Sequence, residues 1–397
     1  MSSKKNELSD LSKLVSKKYS LAIDSGDAFY YPSTITKIED HTSGSKIVWQ
    51  IRTVPALLKK PKAEEGEQAK PASGDDSKNK AAPQSRQNPT DVFAPPYVPN
   101  LHVKDLDDHV VLLNKFCVVP EHFLLVTKEF QPQQSPPPPS SLALVYRIIN
   151  SHRSRNGESE LLGFYNCGQL SGASQPHRHF QFIQLPPPRD GSVEEEEEQE
   201  QEEEEEDEEQ VRVPIEVLLE KIEKDGKEEE HVHALPVPWQ HFVVLLNPPK
   251  SKSSDPSSSS VLEQYMANKF MSLLDALFRA RMVAQHERDE KGEKPRPSGP
   301  PSFNILITKR AMHLIPRSKE EFDELPRIEG EDQSTIGNLS LNALCFAGFL
   351  LTKSQAEVEA LQKLKGGVPE VLAKVGIEPV PDVTVAQGNP KDEDANL

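Results

Sequence analysis

The residues best suited to chemistry lie in one run, Ser171-Gly-Ala-Ser-Gln-Pro-His177-Arg-His179-Phe-Gln181. Phe180, Phe182 and Ile183 predict that its second part is extended. A period of two then places His177, His179 and Gln181 on one face of a strand. An imidazole attacks phosphorus only through an unprotonated ring nitrogen, so the proton must be held on the other nitrogen. For His179 the backbone carbonyl two residues back is well placed to hold it. Ahead of the histidines, Ser171, Gly172, Ala173 and Ser174 combine small side chains, two hydroxyls and accessible N–H groups, a set suited to wrapping phosphate oxygens. Gln181 can donate from its amide but cannot transfer a proton. A polyphosphate leaving group needs no general acid, so this residue favours group transfer over assisted hydrolysis.

The segment Gly172 to Gln181 resembles the His-x-His-x-Gln signature of the histidine-triad-like nucleotidyltransferases, which include galactose-1-phosphate uridylyltransferase. It is most similar to the fungal diadenosine tetraphosphate phosphorylases, also called ATP adenylyltransferases. Further blocks agree in order: Trp49-Gln-Ile-Arg-Thr53, Leu113-Asn-Lys-Phe116, His122-Phe-Leu-Leu-Val-Thr127, Ser302-Phe-Asn304 with Thr308-Lys309, Ile315-Pro-Arg-Ser318, and the region from Leu344 to Ile377. The resemblance implies that His179 is the nucleophile that becomes adenylylated, with His177 in support and Gln181 on the phosphoryl oxygens. It also implies that one of Lys59 and Lys60 contacts polyphosphate, and that Asn166, Ser302, Asn304, Thr308 and Lys309 contact nucleotide. A divalent cation, magnesium, is implied by the family and by the anionic substrate, although no dedicated cage of metal ligands stands in the sequence.

Elsewhere the chemistry is thin. His231 and His233 follow three glutamates, but without further ligands at recognised spacing they read as a solvated loop rather than a metal site. Neither a P-loop nor a Gly-x-Gly-x-x-Gly turn occurs. The formal charge is −17, but residues 194 to 209 hold 14 acidic side chains and no basic ones, leaving −3 for everything else. The acidity is therefore local, and there is no nucleic-acid footprint. Three widely spaced cysteines, Cys117, Cys167 and Cys345, indicate neither a disulfide framework nor a zinc site. No apolar run is long enough to span a bilayer. The expectation is a soluble cytoplasmic monomer, with nuclear entry left open, that binds small molecules and neither nucleic acid nor membrane.

Around the motif, apolar spacing predicts helices at 7–23, 142–155, 214–224, 260–287, 338–364 and 367–376. Strands are expected at 47–54, 109–116, 122–130, 161–167, 178–185, 241–247, 303–309 and 312–316, and no internal repeat is evident. Composition marks disordered insertions at 61–90, 186–210 and 287–301. The expected fold is α+β (α/β): a histidine-triad-like, mostly antiparallel sheet with packed helices and a C-terminal α/β portion. Its divisions would be a catalytic region at 1–255, a C-terminal region at 256–380 and a disordered tail at 381–397.

The reaction implied is phosphorolysis of diadenosine tetraphosphate to ATP and ADP, reversibly, through an adenylyl-histidine on His179, with inorganic phosphate as acceptor. Two alternatives stand beside it: a related enzyme acting on a nucleotide sugar, and a catalytically inactive nucleotide-binding scaffold.

Overall fold

The computed structural model describes residues 8–59, 91–152, 160–185, 213–224, 231–249, 258–292, 299–328 and 336–380. The insertions expected at 61–90 and 186–210, the tail from 381, and Lys60 lie outside these residues.

Nine strands form one antiparallel sheet, in the order His233–Ala234, Phe242–Leu245, Ala311–Arg317, Ser302–Ile307, Glu160–Cys167, His179–Leu185, Phe123–Thr127, His109–Leu113, His102–Asp105. The expected α+β fold with a mostly antiparallel sheet is the fold observed. The central strands are buried at nearly every position because both faces are covered. One face packs under the helices Leu11–Asp24, Pro139–Ser151 and Ser258–Glu290, burying Phe180, Phe182, Tyr165, Phe303 and Leu314. In Pro139–Ser151 the buried Leu142, Val145, Tyr146 and Ile149 recur at helical spacing, and proline opens the helix where its missing N–H costs nothing.

The opposite face carries Phe164, Ile183, Leu306 and Ile315, together with Trp49, Trp239 and the C-terminal elements. Trp49 and Trp239 are almost wholly buried. Each large apolar side chain so placed contributes roughly 1.5–3 kcal/mol. His179 and Gln181 alternate with Phe180 and Phe182, so they lie on this second face with Ile183 and Leu185, in the register expected.

Two expectations fail. The segment 338–364 is not one helix. Ala343–Ala347 ends at Gly348, whose φ of 118° is left-handed and whose place beside Pro214 leaves no room for a side chain. The chain then forms the strand Phe349–Thr352, parallel to Ile47–Thr53, and resumes helix at Gln355–Lys363. This strand completes a small sheet with Thr34–Asp40. The helix also runs on to Glu290, into the expected linker.

The second failure is larger, because the fold repeats. Leaving aside Phe116–Cys117, which pairs in a separate small sheet, His109–Leu113, Phe123–Thr127, Pro139–Ser151, Glu160–Cys167 and His179–Leu185 follow the order strand, strand, helix, strand, strand. His233–Ala234, Phe242–Leu245, Ser258–Glu290, Ser302–Ile307 and Ala311–Arg317 follow it again. The halves meet where Glu160–Cys167 pairs with Ser302–Ile307.

Candidate active site

The site is built where the motif strand leaves the ordered ladder. Gln133, from the proline-rich loop, wedges its amide between strands: Oε1 accepts from His179 N at 2.8 Å, and Nε2 donates to Asn166 O at 2.8 Å and His179 O at 3.3 Å. These bonds satisfy backbone groups that the ladder leaves open.

His179 is 2% exposed, and its Nδ1 lies 2.8 Å from His177 O. A carbonyl only accepts, so Nδ1 carries the proton and Nε2 keeps its lone pair. Nε2 makes no hydrogen bond with any described residue. Burial pushes the pKa of His179 down to about 4, against a smaller upward pull from the His177 carbonyl. The ring is neutral at physiological pH, and Phe93 sits over it with ring centroids 5.1 Å apart.

His177 is held on both sides. Nδ1 is 2.9 Å from Asp91 Oδ2, while Nε2 is 2.7 Å from Thr127 O and 3.1 Å from Thr127 Oγ1. With the Asp91 carboxyl group at one nitrogen and Thr127 at the other, His177 is clamped between buried acceptors. His177 is thus a fixed strut that delivers its own carbonyl to His179.

Gln181 lines a cavity of about 290 Å3 with Arg52, Asn114, His122 and Asn342 among its polar walls and Phe116, Phe164 and Leu344 among its apolar ones. Asn114 Nδ2 lies 3.0 Å from His122 Nδ1; an amide nitrogen donates, so the His122 proton is on Nε2. Burial drives the His122 pKa down to about 4. Gln181 lies close enough to pull it partly back, though no direct bond reaches the sealed Nε2. An Nε2 proton on that side favours the Gln181 amide oxygen turned toward the ring, with its NH2 turned away.

The small-residue turn is pinned from behind. Gly172 has φ +77°, and a Cβ there would meet Leu341 O at 2.6 Å, so the turn needs glycine. Ser171 is fully buried; its hydroxyl donates to Gly168 O at 2.7 Å, while its carbonyl accepts from Asn304 Nδ2 at 2.9 Å. Asn304 Nδ2 also donates to Asn166 Oδ1 at 2.8 Å, and Asn304 Oδ1 accepts from Arg317 Nη1 at 2.8 Å. Burial lowers the pKa of Arg317 to about 10, and its guanidinium is spread over six acceptors.

The structure therefore gathers His177, His179, Gln181, Asn166, Asn304 and the turn Ser171 to Ser174 at one end of the sheet. Asn304 and the Ser171 hydroxyl hold scaffold there, whereas Ser174 is exposed and Asn166 Nδ2 is buried with no partner. Ser302 Oγ accepts from Leu170 N at 3.2 Å, beside the same turn. Thr308 and Lys309 stand apart: they follow the far end of Ser302–Ile307, roughly 20 Å from Ser302 by strand rise. The Thr308 hydroxyl donates to buried Glu216 at 2.6 Å. Lys59 ends a short 3-10 helix, Pro55–Lys59. His231 and His233 lie by the edge strand His233–Ala234, remote from His179 along the sheet order. Among the described residues no group of three or more His, Cys, Asp and Glu side chains is placed to hold a metal ion. No described helix is long and apolar enough to cross a membrane.

Asp91, Gln133, His122 and Arg317 escaped the sequence reading. Asp91 and Gln133 sit in irregular segments with no periodicity to mark them, and only the turn of the chain brings them to the motif. His122 and Arg317 stood inside the aligned blocks and could have been singled out as polar residues in apolar strands.

A neutral histidine with one fixed proton and one bare nitrogen, beside an amide donor and a cavity, is an arrangement for covalent transfer of an electrophilic group. Residues 2–195 match the Ap4A phosphorylase N-terminal domain, and residues 235–378 match the ATP adenylyltransferase C-terminal domain. Diadenosine 5',5'''-P1,P4-tetraphosphate phosphorylase 2 of Saccharomyces cerevisiae is 30% identical over 289 residues, covering 68% of this chain and 71% of the relative. Protein APA1 of the same yeast is 25% identical over 374 residues, 92% of this chain and 94% of its own. The crystal structure of yeast Ap4A phosphorylase Apa2 superposes with a TM-score of 0.62 at 24% identity, covering 94% of this chain and 96% of that one. The chain belongs to the Ap4A phosphorylase and ATP adenylyltransferase family.

Proposed function

We propose that this chain catalyses reversible phosphorolysis of diadenosine tetraphosphate, releasing ATP and then ADP, with His179 as the adenylylated residue. The observation that carries the reading is the proton on Nδ1: bonded to the His177 carbonyl, it leaves Nε2 as the nucleophile without any general base. Yeast Apa2, a member of the same family, has been crystallised in complex with Ap4A and with AMP.

In the first step Nε2 forms a bond to the α-phosphorus as the bond to the bridging oxygen breaks, and ATP leaves with that electron pair. The positive charge on the adduct is delocalised over the ring, with Nδ1–H still on the carbonyl. In the second step an oxygen of inorganic phosphate attacks the same phosphorus, the N–P bond breaks toward Nε2, and ADP leaves. Gln181 donates its NH2 to the phosphoryl oxygens in both steps, an orientation that His122 favours. Positioning and charge stabilisation supply most of the rate, since neither leaving group needs a proton.

The test is to incubate the protein with diadenosine tetraphosphate and phosphate and resolve the products. ATP and ADP in equal amounts are expected. Turnover of a nucleotide sugar with none of the dinucleotide would replace this reading by the related transferase, and turnover of neither would leave a binding scaffold.

A further inference from the structure

Among the described residues that line the cavity beside Gln181, Arg52 is the one strongly basic side chain, and the mechanism above leaves it without work. It sits on Ile47–Thr53, 8% exposed, and lines the cavity that Gln181 also lines. Among the described residues one of its five N–H donors has a partner: Nη1 donates to Ser33 Oγ at 3.1 Å. No carboxylate among the described residues pairs with it. Arg317, also buried, is treated differently: it spreads its charge over six acceptors. Arg178 has Nη1 on Gln131 Oε1 and a buried Nε with no partner among the described residues, but it does not line this cavity. A guanidinium taken out of water needs either such a cage of acceptors or a counter-charge. Arg52 has neither, and its surroundings disfavour the cation: burial lowers its pKa, with only Tyr30 acting the other way.

The rest of the cavity narrows what the counter-charge can be. Asn114, Ser340, Asn342 and Gln181 are neutral, and the remaining walls are largely apolar. An anion entering there finds one positive charge, a planar fork of donors and neutral amides around it. That set matches a phosphate group, which takes a guanidinium through two parallel N–H bonds. We propose that Arg52 is the counter-ion of a phosphate group held in the cavity beyond Gln181, forming an anion subsite separate from the turn at Ser171 to Ser174. The inference rests on the phosphorolysis reading for its substrate, though not for the binding itself. The same chemistry could come from the polyphosphate chain of the dinucleotide or from inorganic phosphate, the acceptor of the second step.

Calorimetric titration of the full chain with tripolyphosphate, with inorganic phosphate and with adenosine separates these sources without turnover. Arg52→Met should weaken tripolyphosphate or phosphate by about tenfold to a hundredfold, the range of a charge-assisted bond, and leave adenosine unchanged. Arg52→Lys keeps the charge without the fork and should fall between. Loss confined to tripolyphosphate places the dinucleotide's chain at Arg52; loss confined to phosphate places the acceptor there; either supports the subsite. Thermal unfolding of each variant shows whether it is folded, and if Arg52→Met is not, Arg52→Lys decides. Unchanged affinity for both anions in a folded variant would overturn the proposal. A protein that binds tripolyphosphate through Arg52 but never cleaves the dinucleotide would keep the subsite and overturn the phosphorolysis reading instead.

Discussion

His179 and His313 lie on corresponding strands of the two halves and on the same face of the sheet, but their ring nitrogens meet different surroundings. His179 Nδ1 is tied to one carbonyl, and Nε2 has no bond to a described residue. His313 Nδ1 is 3.0 Å from His241 Nε2, and its own Nε2 is 3.4 Å from Glu216 Oε1. Trp239 Nε1 donates to His241 Nδ1 at 3.3 Å, and an indole only donates, so every proton in this chain is assigned. It runs from tryptophan through two histidines to a carboxylate. All four groups are almost fully buried. The same order of strands and helix thus frames a histidine with a bare ring nitrogen, the proposed nucleophile, in one half and a closed polar network in the other. A histidine on the right strand is not enough; what matters is a nitrogen with nothing to do.

The comparison breaks most easily at its larger end. His179→Ala should lower turnover by on the order of 10^4-fold or more, the loss typical of a covalent nucleophile, and abolish any adenylyl adduct. Radiolabelled adenylate still attached to the variant would move the nucleophile elsewhere, with His313 the first alternative to examine.

How much of this contrast was legible in the sequence depends on the range of the contacts. The alternation of His177, His179 and Gln181 with Phe180 and Phe182 is local, so the strand, its facing and even the carbonyl that holds the Nδ1 proton followed from spacing alone. The helix Ser258–Glu290 was readable for the same reason, since its buried side chains recur with the helical period. The repeat was not, because the halves share an order of elements without sharing residues: the strand pair that closes one carries His-x-His-x-Gln, and that of the other carries a single histidine between apolar neighbours. The 338–364 error has a similar origin. Phe349 to Thr352 has apolar residues that fit either period, and its pairing with Gln50 to Thr53, some 300 positions earlier, decided for strand. Asp91 needed the whole fold to reach His177.

Gln181 is the next place to sharpen the contrast, because the corresponding position of the second half, two residues after His313, is the buried Ile315. Gln181→His should slow phosphorolysis by on the order of a hundredfold, the cost of one lost donor on a developing charge. It should also raise the share of AMP over ADP at fixed phosphate, since an imidazole can assist water where an amide cannot. An unchanged rate and ratio would remove Gln181 from the chemistry.

A smaller effect is expected from pH. The folded-state pKa of His179, His122 and His109 lies at about 4 in each case, with burial the leading cause. The unfolded chain takes up these protons near pH 6.5 and the native protein does not. Stability should therefore be complete above about pH 6.5 and fall as pH drops toward about 4, by up to about 1.4 kcal/mol per pH unit for each histidine. Urea unfolding between those values measures it. The rate of adduct formation without phosphate should show no step near pH 6.5; a step there would mean that His179 titrates as an exposed ring.

The smallest effect on turnover belongs to the second half. In His313→Asn the shorter side chain cannot reach both His241 and Glu216, so a buried ring nitrogen and a buried carboxylate lose a partner together. Glu216 keeps the Thr308 hydroxyl at 2.6 Å and has Arg310 at 3.8 Å, which softens the loss without removing it. Partners stranded in this way cost about 1–3 kcal/mol each, so the unfolding midpoint should fall clearly. Turnover per folded molecule should stay within a few-fold, because nothing in the network touches His177, His179 or Gln181. If turnover instead fell a hundredfold with the fold intact, the two halves would share the chemistry, and the sealed chain from Trp239 to Glu216 would have to act on the site through the strand pairing that joins them at Asn166 and Asn304.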